Sequence, residues 1–341
     1  EAYKLNAGFE LSLFQKLKIQ ADYFHEKRQG IFLQRAGLPA IVGISTIPYV
    51  NIGETVNKGF DGTLEYSQQV GNVFLTARGN FTFNRNKLLN NDEPDWEYKY
   101  QNRIGKSFGS GGTMQPFGLV ALGLFESQEE IDNSPTQTFG EYRVGDIKYQ
   151  DINGDGQIDS QDMVAMGYTN LPEIIYGFGA TAQWKGWDFN VFFQGVDHSS
   201  FFISGSTLQS PFSSGNMERA ALQEDLWGKT WMSTNTPEQN ANASYPRLSL
   251  SGAAGSSNNQ QTSSWWLRSG DFLRLKNVEI GYSLPKNILD RSFVKSLRFY
   301  VSGNNLLTFS KFKLWDPEKG GGQGSGYPLN RVVSFGLKAN F

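Results

Sequence analysis

The sequence predicts an all-β fold in which antiparallel strands form a barrel that crosses a membrane. Nine segments alternate apolar and polar residues with period two, and the connections between them are short or long in a regular order. There is no run of about 18 to 20 apolar residues that would form a transmembrane helix. The mean hydropathy of −0.44 does not argue against a membrane, because alternation hides a lipid-facing surface from any average.

The hairpin between Ile174 and Phe193 shows the alternation most clearly. Apolar side chains fill every second position on both sides of the two-residue turn Lys185-Gly186, and the positions between them are mostly glycine or polar. A strand places two such sets on opposite faces, whereas a helix mixes them. One face therefore suits lipid, and the other suits a water-filled lumen.

The other alternating segments are predicted as strands for the same reason. In the last one, for example, Val333, Phe335 and Leu337 are separated by Ser334 and Gly336. In chain order the nine predicted strands comprise residues 3–13, 17–23, 60–66, 73–83, 174–184, 187–193, 278–284, 297–301 and 333–341.

The connections are as informative as the strands. Three are short (Gln15-Lys16, Val70 to Asn72, Lys185-Gly186), one is intermediate (Pro285 to Ser296), and four are long (about 29–56, 85–172, 198–271 and 307–330). Bacterial outer-membrane barrels combine short periplasmic turns with long extracellular loops. We therefore expect a multi-pass protein of the cell outer membrane, with its short turns periplasmic and its long connections extracellular.

A soluble β-sandwich is the alternative fold. The longest connections disfavour it, because structureless loops beyond about 12 to 15 residues are uncommon in compact domains. Within them we expect one helical turn at Glu126 to Ile131 and a helix at Asn216 to Trp231. Bacterial barrels have an even number of strands, so nine strands predict that further strands lie outside this sequence.

Composition and motifs argue against several other functions. A net charge of −2 gives no reason to expect a nucleic-acid partner. There are two histidines, His25 and His198, but the sequence has no motif for the strained turn that holds a catalytic serine in hydrolases. Gly105-Lys106-Ser107 is not a phosphate loop, since Tyr100 stands where the first glycine is required. We expect no enzymatic activity.

Nine short motifs occur in a fixed order along residues 1–341. They are Ala21 to Phe24 with Glu26 to Arg28, Asn51 to Gly53 with Asn57 to Phe60, Gln115 to Gly118 with Gly123 to Phe125, Gly145 to Tyr149 with Asp151 to Asp159, Phe192 to Val196, Tyr245 to Arg247, Phe272 to Val278, Gly281 to Pro285, and Ser302 to Leu306. With these motifs the sequence resembles the C-terminal part of a SusC-like TonB-dependent transporter, from the starch-utilisation-type systems of Bacteroidetes.

The resemblance implies a 22-stranded barrel closed by a plug, of which residues 1–341 form strands 14–22. The plug, the TonB box and the earlier strands are expected outside this chain. It also implies energy-coupled import of an oligosaccharide or a peptide. The implied partners are a SusD-like surface lipoprotein and, through the missing N-terminal part, TonB-ExbB-ExbD. A passive porin, or a structural or adhesive barrel, is the alternative.

An acidic loop offers oxygen ligands at the spacing of a calcium loop. The candidate ligands are Asp151, Asn153, Asp155, the Gln157 carbonyl, Asp159 and Asp162, with Gly156 at the sharp turn. Calcium binds six to eight hard oxygens, and the twelfth position, here Asp162, normally holds a longer glutamate. The alternative is a solvated acidic turn without metal. No other cofactor is expected.

Aromatic residues in the long connections are the candidates for contacts with a substrate or partner. They are Trp227, Trp231, Trp265, Trp266 and Trp315. The alternative for each is that it holds the loops together. Trp184 and Trp187 flank a short turn instead, where an aromatic girdle at the periplasmic interface is expected.

Overall fold

The computed structural model describes residues 1–35, 37, 41, 43, 46–109, 114–203, 226–248, 256–290, 293–321, 327 and 329–341. The first ten residues of the helix predicted at Asn216 to Trp231 lie outside this part. Among the helices of the described residues, none has the length and apolar character needed to cross a membrane.

The described part of the chain is mostly β-strand. In chain order the strands are β1 (Ala2–Leu13), β2 (Leu17–Gln34), β3 (Tyr49–Val70), β4 (Val73–Asn90), β5 (Phe117–Gly118), β6 (Ala121–Leu124), β7 (Thr136–Gln137), β8 (Ile147–Tyr149), β9 (Gln157–Ile158), β10 (Val164–Ala165), β11 (Ile174–Trp184), β12 (Trp187–Asp197), β13 (Ser200–Phe202), β14 (Leu267–Ser269), β15 (Phe272–Ser283), β16 (Ser296–Ser310) and β17 (Val332–Asn340).

Nine of these strands form one antiparallel sheet, which we call the wall sheet. Its order is β1-β2-β3-β4-β11-β12-β15-β16-β17, so strands adjacent in the list are hydrogen-bonded neighbours. Apart from terminal residues, all nine predicted strands lie within it. The prediction of an all-β antiparallel fold built from these nine segments is confirmed.

Short helices occur only between the strands in the described part of the chain. The α-helices are Gln128–Asp132, Pro237–Ala241, Ser256–Asn259 and Lys286–Leu289, and the 3-10 helices are Lys99–Gln101, Ser160–Asp162 and Pro317–Lys319. The first begins after Ser127, whose side chain accepts a hydrogen bond from the Glu130 amide. This N-cap explains the helical turn predicted at Glu126 to Ile131.

The register keeps the apolar sets of all nine wall strands on one face. One row of facing residues across the sheet comprises Leu13, Leu17, Tyr66, Ala77, Ala180, Val191, Val278, Gly303 and Val333. This apolar face is solvent-accessible, with Phe9 57% and Phe335 81% exposed. An apolar surface of this extent is unfavourable in water and suits lipid.

The opposite face of the wall sheet is polar. Asn190 donates through Nδ2 to Asn277 Oδ1 at 2.8 Å, and Asn277 donates in the same way to Asn304 at 3.1 Å. Nearer the short turns, Arg298 donates through Nε to Asp188 at 2.9 Å and through Nη2 to Glu279 at 2.6 Å. Polar side chains that hydrogen-bond along one face are expected of a barrel lumen.

The turns and the strand ends follow local backbone geometry. Lys185 and Gly186 have φ of 44° and 86°, the left-handed pair that a two-residue hairpin of type I′ requires. The connection predicted at about 29–56 is shorter than expected, because β2 extends to Gln34 and β3 begins at Tyr49. The apolar pattern ends at Tyr23 because His25 and Lys27 take the next positions on the same face, although the pairing with β3 stays regular as far as Arg28. Register shifts follow between Arg28 and Phe32.

The apolar core lies among the long connections and not within the wall sheet. We call it the loop core; its buried members are Leu119, Ile147, Tyr149, Ile158, Phe201, Ile203, Leu226, Tyr245, Trp266 and Phe312. Two-stranded pairings such as β6 with β8 and β13 with β14 lie around it. Where the structure describes them, the long connections are therefore a packed assembly and not structureless loops.

Candidate functional site

A cleft of about 810 Å³ opens beside the loop core, between two of the long connections. We call it the loop cleft. One wall comprises Leu122, Gly123, Leu124, Phe125, Glu126, Glu130 and Lys148, and the other comprises Trp231, Asn235, Pro237, Glu238, Asn240, Ala241, Ala243 and Trp265. Its volume lies in the range of about 300 to 1,000 Å³ that is typical of ligand pockets.

Trp231 is positioned by the backbone of Gly145. The Trp231 amide donates to the Tyr245 carbonyl at 3.0 Å, which fixes its segment against the loop core. A Cβ atom placed on Gly145 would lie 2.3 Å from the Trp231 ring, and Gly145 has φ of 88°. Both facts require glycine at this position, and they place one side of the indole against the backbone.

Amide side chains hold the second wall together. Asn240 donates through Nδ2 to the Met232 carbonyl at 2.9 Å, and Asn235 donates to Asn240 Oδ1 at 3.0 Å. The helix Pro237–Ala241 begins with a capping box between Thr236 and Gln239. These amides are therefore engaged within the wall and stiffen it.

The cleft is acidic. Lys148 and Glu130 form an ion pair, and Glu130 also accepts a hydrogen bond from the Glu126 amide at 2.8 Å. Although partial burial opposes its charge, these hydrogen bonds hold the pKa of Glu130 below its ordinary value. Among the described lining residues, Glu126, Glu130 and Glu238 supply three carboxylates against the single ammonium of Lys148.

A buried ion pair fastens the segments behind the cleft. The Asp146 carboxylate is fully buried and accepts from Arg247 Nη2 at 2.9 Å, Asn259 Nδ2 at 2.7 Å and the Arg143 amide at 2.7 Å. Burial raises the pKa of Asp146, while the charge of Arg247 and these hydrogen bonds oppose the rise. Three separate segments of the long connections thus meet at one carboxylate.

The pairing of Asp146 with Arg247 was not predicted from the sequence. Both residues belong to motifs noted above, Gly145 to Tyr149 and Tyr245 to Arg247. The available signal was an acid and a base in two separate motifs, but about a hundred residues of chain separate them, and only the fold shows that they meet.

The acidic loop is ordered by its own backbone amides. Asp151 accepts from the amides of Gly154 at 2.7 Å and Gly156 at 2.9 Å. Asp162 is fully buried and accepts from the amides of Ile152 at 2.7 Å and Asp159 at 2.9 Å. The carboxylates at the first and twelfth positions thus shape the loop around the turn.

The remaining candidate ligands lie at the exposed side of that loop. Asn153 and Asp155 hydrogen-bond each other at 3.0 Å, Gln157 begins β9, and Asp159 caps the 3-10 helix Ser160–Asp162. Gly156 has φ of 84°, as a sharp turn requires. In the described residues, no three acidic, histidine or cysteine side chains are grouped closely enough to hold a metal ion. The calcium site stays a prediction.

The five candidate tryptophans occupy different environments. Trp231 and Trp265 line the loop cleft. Trp227 is 82% exposed. Trp315 packs edge-on against Phe312 at 4.7 Å and donates to the Gly320 carbonyl at 2.8 Å.

Trp266 does not fit the predicted contact role. It is only 2% exposed, and its indole N–H donates to the Asn259 carbonyl at 2.7 Å. Its ring has no surface to offer a ligand in this arrangement, so it supports the loop core, which was the alternative for each tryptophan.

Another, smaller cleft of about 500 Å³ was not predicted from the sequence. Trp96, Tyr98 and Phe117 line it together with Arg103 and Gln161. The signal was the run from Asp95 to Tyr100, in which aromatic and charged residues alternate. The pattern resembles a short strand and does not predict a concave surface.

Known sequences match this chain along nearly its whole length, and each match covers only part of the longer relative. TonB-dependent receptor P26 of Formosa agariphila is 29% identical over 360 residues, which cover 99% of this chain and 34% of that protein. TonB-dependent receptor SusC of Bacteroides thetaiotaomicron is 24% identical over 305 residues, covering 85% of this chain and 27% of that protein. This chain thus spans about a third of the length of these curated relatives. No protein-family model matches the chain.

Comparison with solved structures supports the same fold. The structure of the RagAB peptide transporter superposes with a TM-score of 0.70 and 21% identity, covering 100% of this chain and 35% of that one. The RagAB peptide importer in its closed-closed state gives 0.69 and the same coverage. Nine wall strands with one apolar face, relatives named TonB-dependent receptors along nearly the whole chain and this shared fold show that the chain is similar to part of a SusC-like TonB-dependent receptor.

Proposed function

We propose that the protein imports a nutrient across the outer membrane in a TonB-dependent manner. The observation that carries the proposal is the division of the chain into two parts, a wall sheet with an exposed apolar face and a packed loop assembly with a concave cleft. A barrel wall with one face suited to lipid and the other suited to water encloses a water-filled passage through the membrane. A concave loop surface at its end suits capture of a solute before it enters.

The polarity of the barrel follows from the length of its connections. The short turns lie at one end of the wall sheet, and the loop core lies at the other. In bacterial barrels the long connections are extracellular. We therefore place the loop cleft outside the cell, where it meets the nutrient first.

The partners of the proposal follow from the relatives. A relative named SusC supports a SusD-like surface lipoprotein that docks on the extracellular loops. Relatives named TonB-dependent receptors support energy coupling by TonB-ExbB-ExbD, through segments outside this sequence. The exposed indole of Trp227 is a candidate contact for the lipoprotein.

Uptake in the native host tests the proposal. A strain lacking the gene, complemented with the full-length protein, is offered labelled oligosaccharide and peptide mixtures, with and without a protonophore. We expect uptake of one mixture to depend on both the gene and the proton-motive force. Uptake that depends on the gene but not on the proton-motive force would support a passive porin. Unchanged uptake of every mixture on deletion would contradict import.

A further inference from the structure

We propose that the loop cleft binds a peptide segment that carries apolar side chains and a positive charge. The inference rests on the proposed function and adds to it the substrate class that the cleft selects. The occupant follows from three features of the cleft, which are its apolar surface, its excess of negative charge, and the engagement of its amides within the wall.

The apolar surface lies on both walls. Leu122 is 56% exposed within the concave surface, and Pro237 and Ala241 line the opposite wall. The loop core buries its own apolar residues elsewhere, so these side chains are not needed to complete it. A ligand that covers them with aliphatic side chains removes apolar area from water on both partners.

The charge of the cleft favours the second feature of the ligand, which is its positive charge. Lys148 is neutralised by its ion pair with Glu130. Among the described residues, no ion pair involves the carboxylates of Glu126 or Glu238, which line opposite walls. A lysine, an arginine or an N-terminal ammonium between them gains from both carboxylates, while an acidic ligand is repelled.

The polar groups of the cleft fit a peptide better than a sugar. A free amide side chain can donate a hydrogen bond to one sugar hydroxyl group and accept one from another. Here Asn235 and Asn240 bond each other and the Met232 backbone, and one side of the Trp231 ring lies against Gly145. The remaining features of the cleft are apolar contact and negative charge, which a basic peptide matches.

Matched peptides test this inference on the purified full-length protein. The probes are three acetylated and amidated pentapeptides, Leu-Xaa-Leu-Xaa-Leu, in which Xaa is lysine, glutamine or glutamate, and maltohexaose as a neutral glycan. Calorimetry is expected to give the tightest binding for the lysine peptide, weaker binding for the glutamine peptide, and the weakest for the glutamate peptide. The preference for lysine should shrink as salt is added, because exposed charges are screened.

Single carboxylate variants locate the effect in the cleft. Glu126→Gln and Glu238→Gln should each weaken binding of the lysine peptide about two- to fivefold and leave the glutamine peptide unchanged. Glu129→Gln is the control, because Glu129 is exposed on the helix Gln128–Asp132 but does not line the cleft. Heat-dependent gel mobility confirms that each variant has folded.

Three results would overturn the inference. The first is equal binding of the lysine and glutamate peptides, and the second is no effect of either cleft variant. The third is competition by maltohexaose for the peptide site. These results are distinct from failure of the proposed function, since uptake that depends on the gene and on the proton-motive force can occur without any charge preference in the cleft.

Discussion

Asp146 joins three segments of the loop assembly through its carboxylate. It is fully buried and paired with Arg247, and it lies next to Gly145, which supports Trp231. Removing one member of a buried pair leaves the other without compensation, which costs more than the pair contributes. The residues that shape the cleft thus depend on a charge hidden behind it.

Asp146→Asn is expected to loosen the loop assembly without unfolding the wall sheet. Loss of charge-assisted hydrogen bonds should destabilise the local structure by about 1.5 to 3 kcal/mol. Limited proteolysis of the full-length protein should cleave the long connections faster. Glu141→Gln is the matched control, since the ion pair of Glu141 with Arg143 is 65% and 62% exposed. Equal cleavage of both variants would contradict this role of Asp146.

Calcium binding to the acidic loop is tested at Asp155. If calcium binds, oxygens of the loop should surround one ion at about 2.3 to 2.6 Å. Chelator, or Asp155→Ala, should then speed proteolysis between Glu141 and Leu171 while the barrel stays folded. Asp95→Ala, at a carboxylate outside the loop, is the control. Unchanged cleavage, together with no bound metal by elemental analysis, would show that the loop is only a turn.

Among the strands of the wall sheet, β17 gives the clearest test of the two faces. Phe335 faces Val301 on the apolar face and is 81% exposed, whereas its neighbour Ser334 faces Ser302 on the polar face. Phe335→Arg should block assembly, because arginine on the lipid face at mid-bilayer costs about 2 to 4 kcal/mol. Ser334→Arg should be tolerated, because it stays hydrated in the lumen. Heat-modifiable gel mobility measures folding, and equal folding of the two variants would contradict the assignment of faces.

The wall strands were predictable from sequence because each one carries its own pattern. Alternation along one strand fixes which residues share a face, and no distant partner is needed to read it. The ends of β2 and β3 were not predictable, since polar residues such as His25 and its partner Lys58 replace the apolar set before the strands end. Register shifts near Ile31 then break the period of two. Local pattern fails where polar residues continue a strand or where its geometry is irregular.

The loop assembly was much less predictable, because contacts between distant segments create it. The two-residue strand β5 exists only through pairing with β10, and β7 pairs in parallel with β9. The loop cleft arises where residues 122–130 meet residues 231–243. Two tryptophans of the cleft, Trp231 and Trp265, could be named as candidates from the sequence. The negative charge of the cleft and the burial of Trp266 could not be predicted.

The whole molecule combines two kinds of stability. The wall sheet holds its strands by backbone hydrogen bonds and leaves its apolar face for lipid, while the long connections bury their own core as a soluble domain does. If the protein imports a nutrient as proposed, changes in the loop assembly should alter its capture and leave the barrel intact. Changes on the lipid face should prevent assembly altogether.

We propose that the wall sheet crosses the outer membrane with its short turns periplasmic and its long connections outside, and labelling of single cysteines tests this orientation most directly. Because residues 1–341 contain no cysteine, single cysteines can be introduced into the full-length protein, with any others replaced by serine. Asn72→Cys marks a short turn and Glu141→Cys marks a long connection. A membrane-impermeant maleimide added to intact cells should label Glu141→Cys, and should label Asn72→Cys only after the outer membrane is permeabilised. The reverse pattern, or labelling of both positions in intact cells, would contradict this orientation.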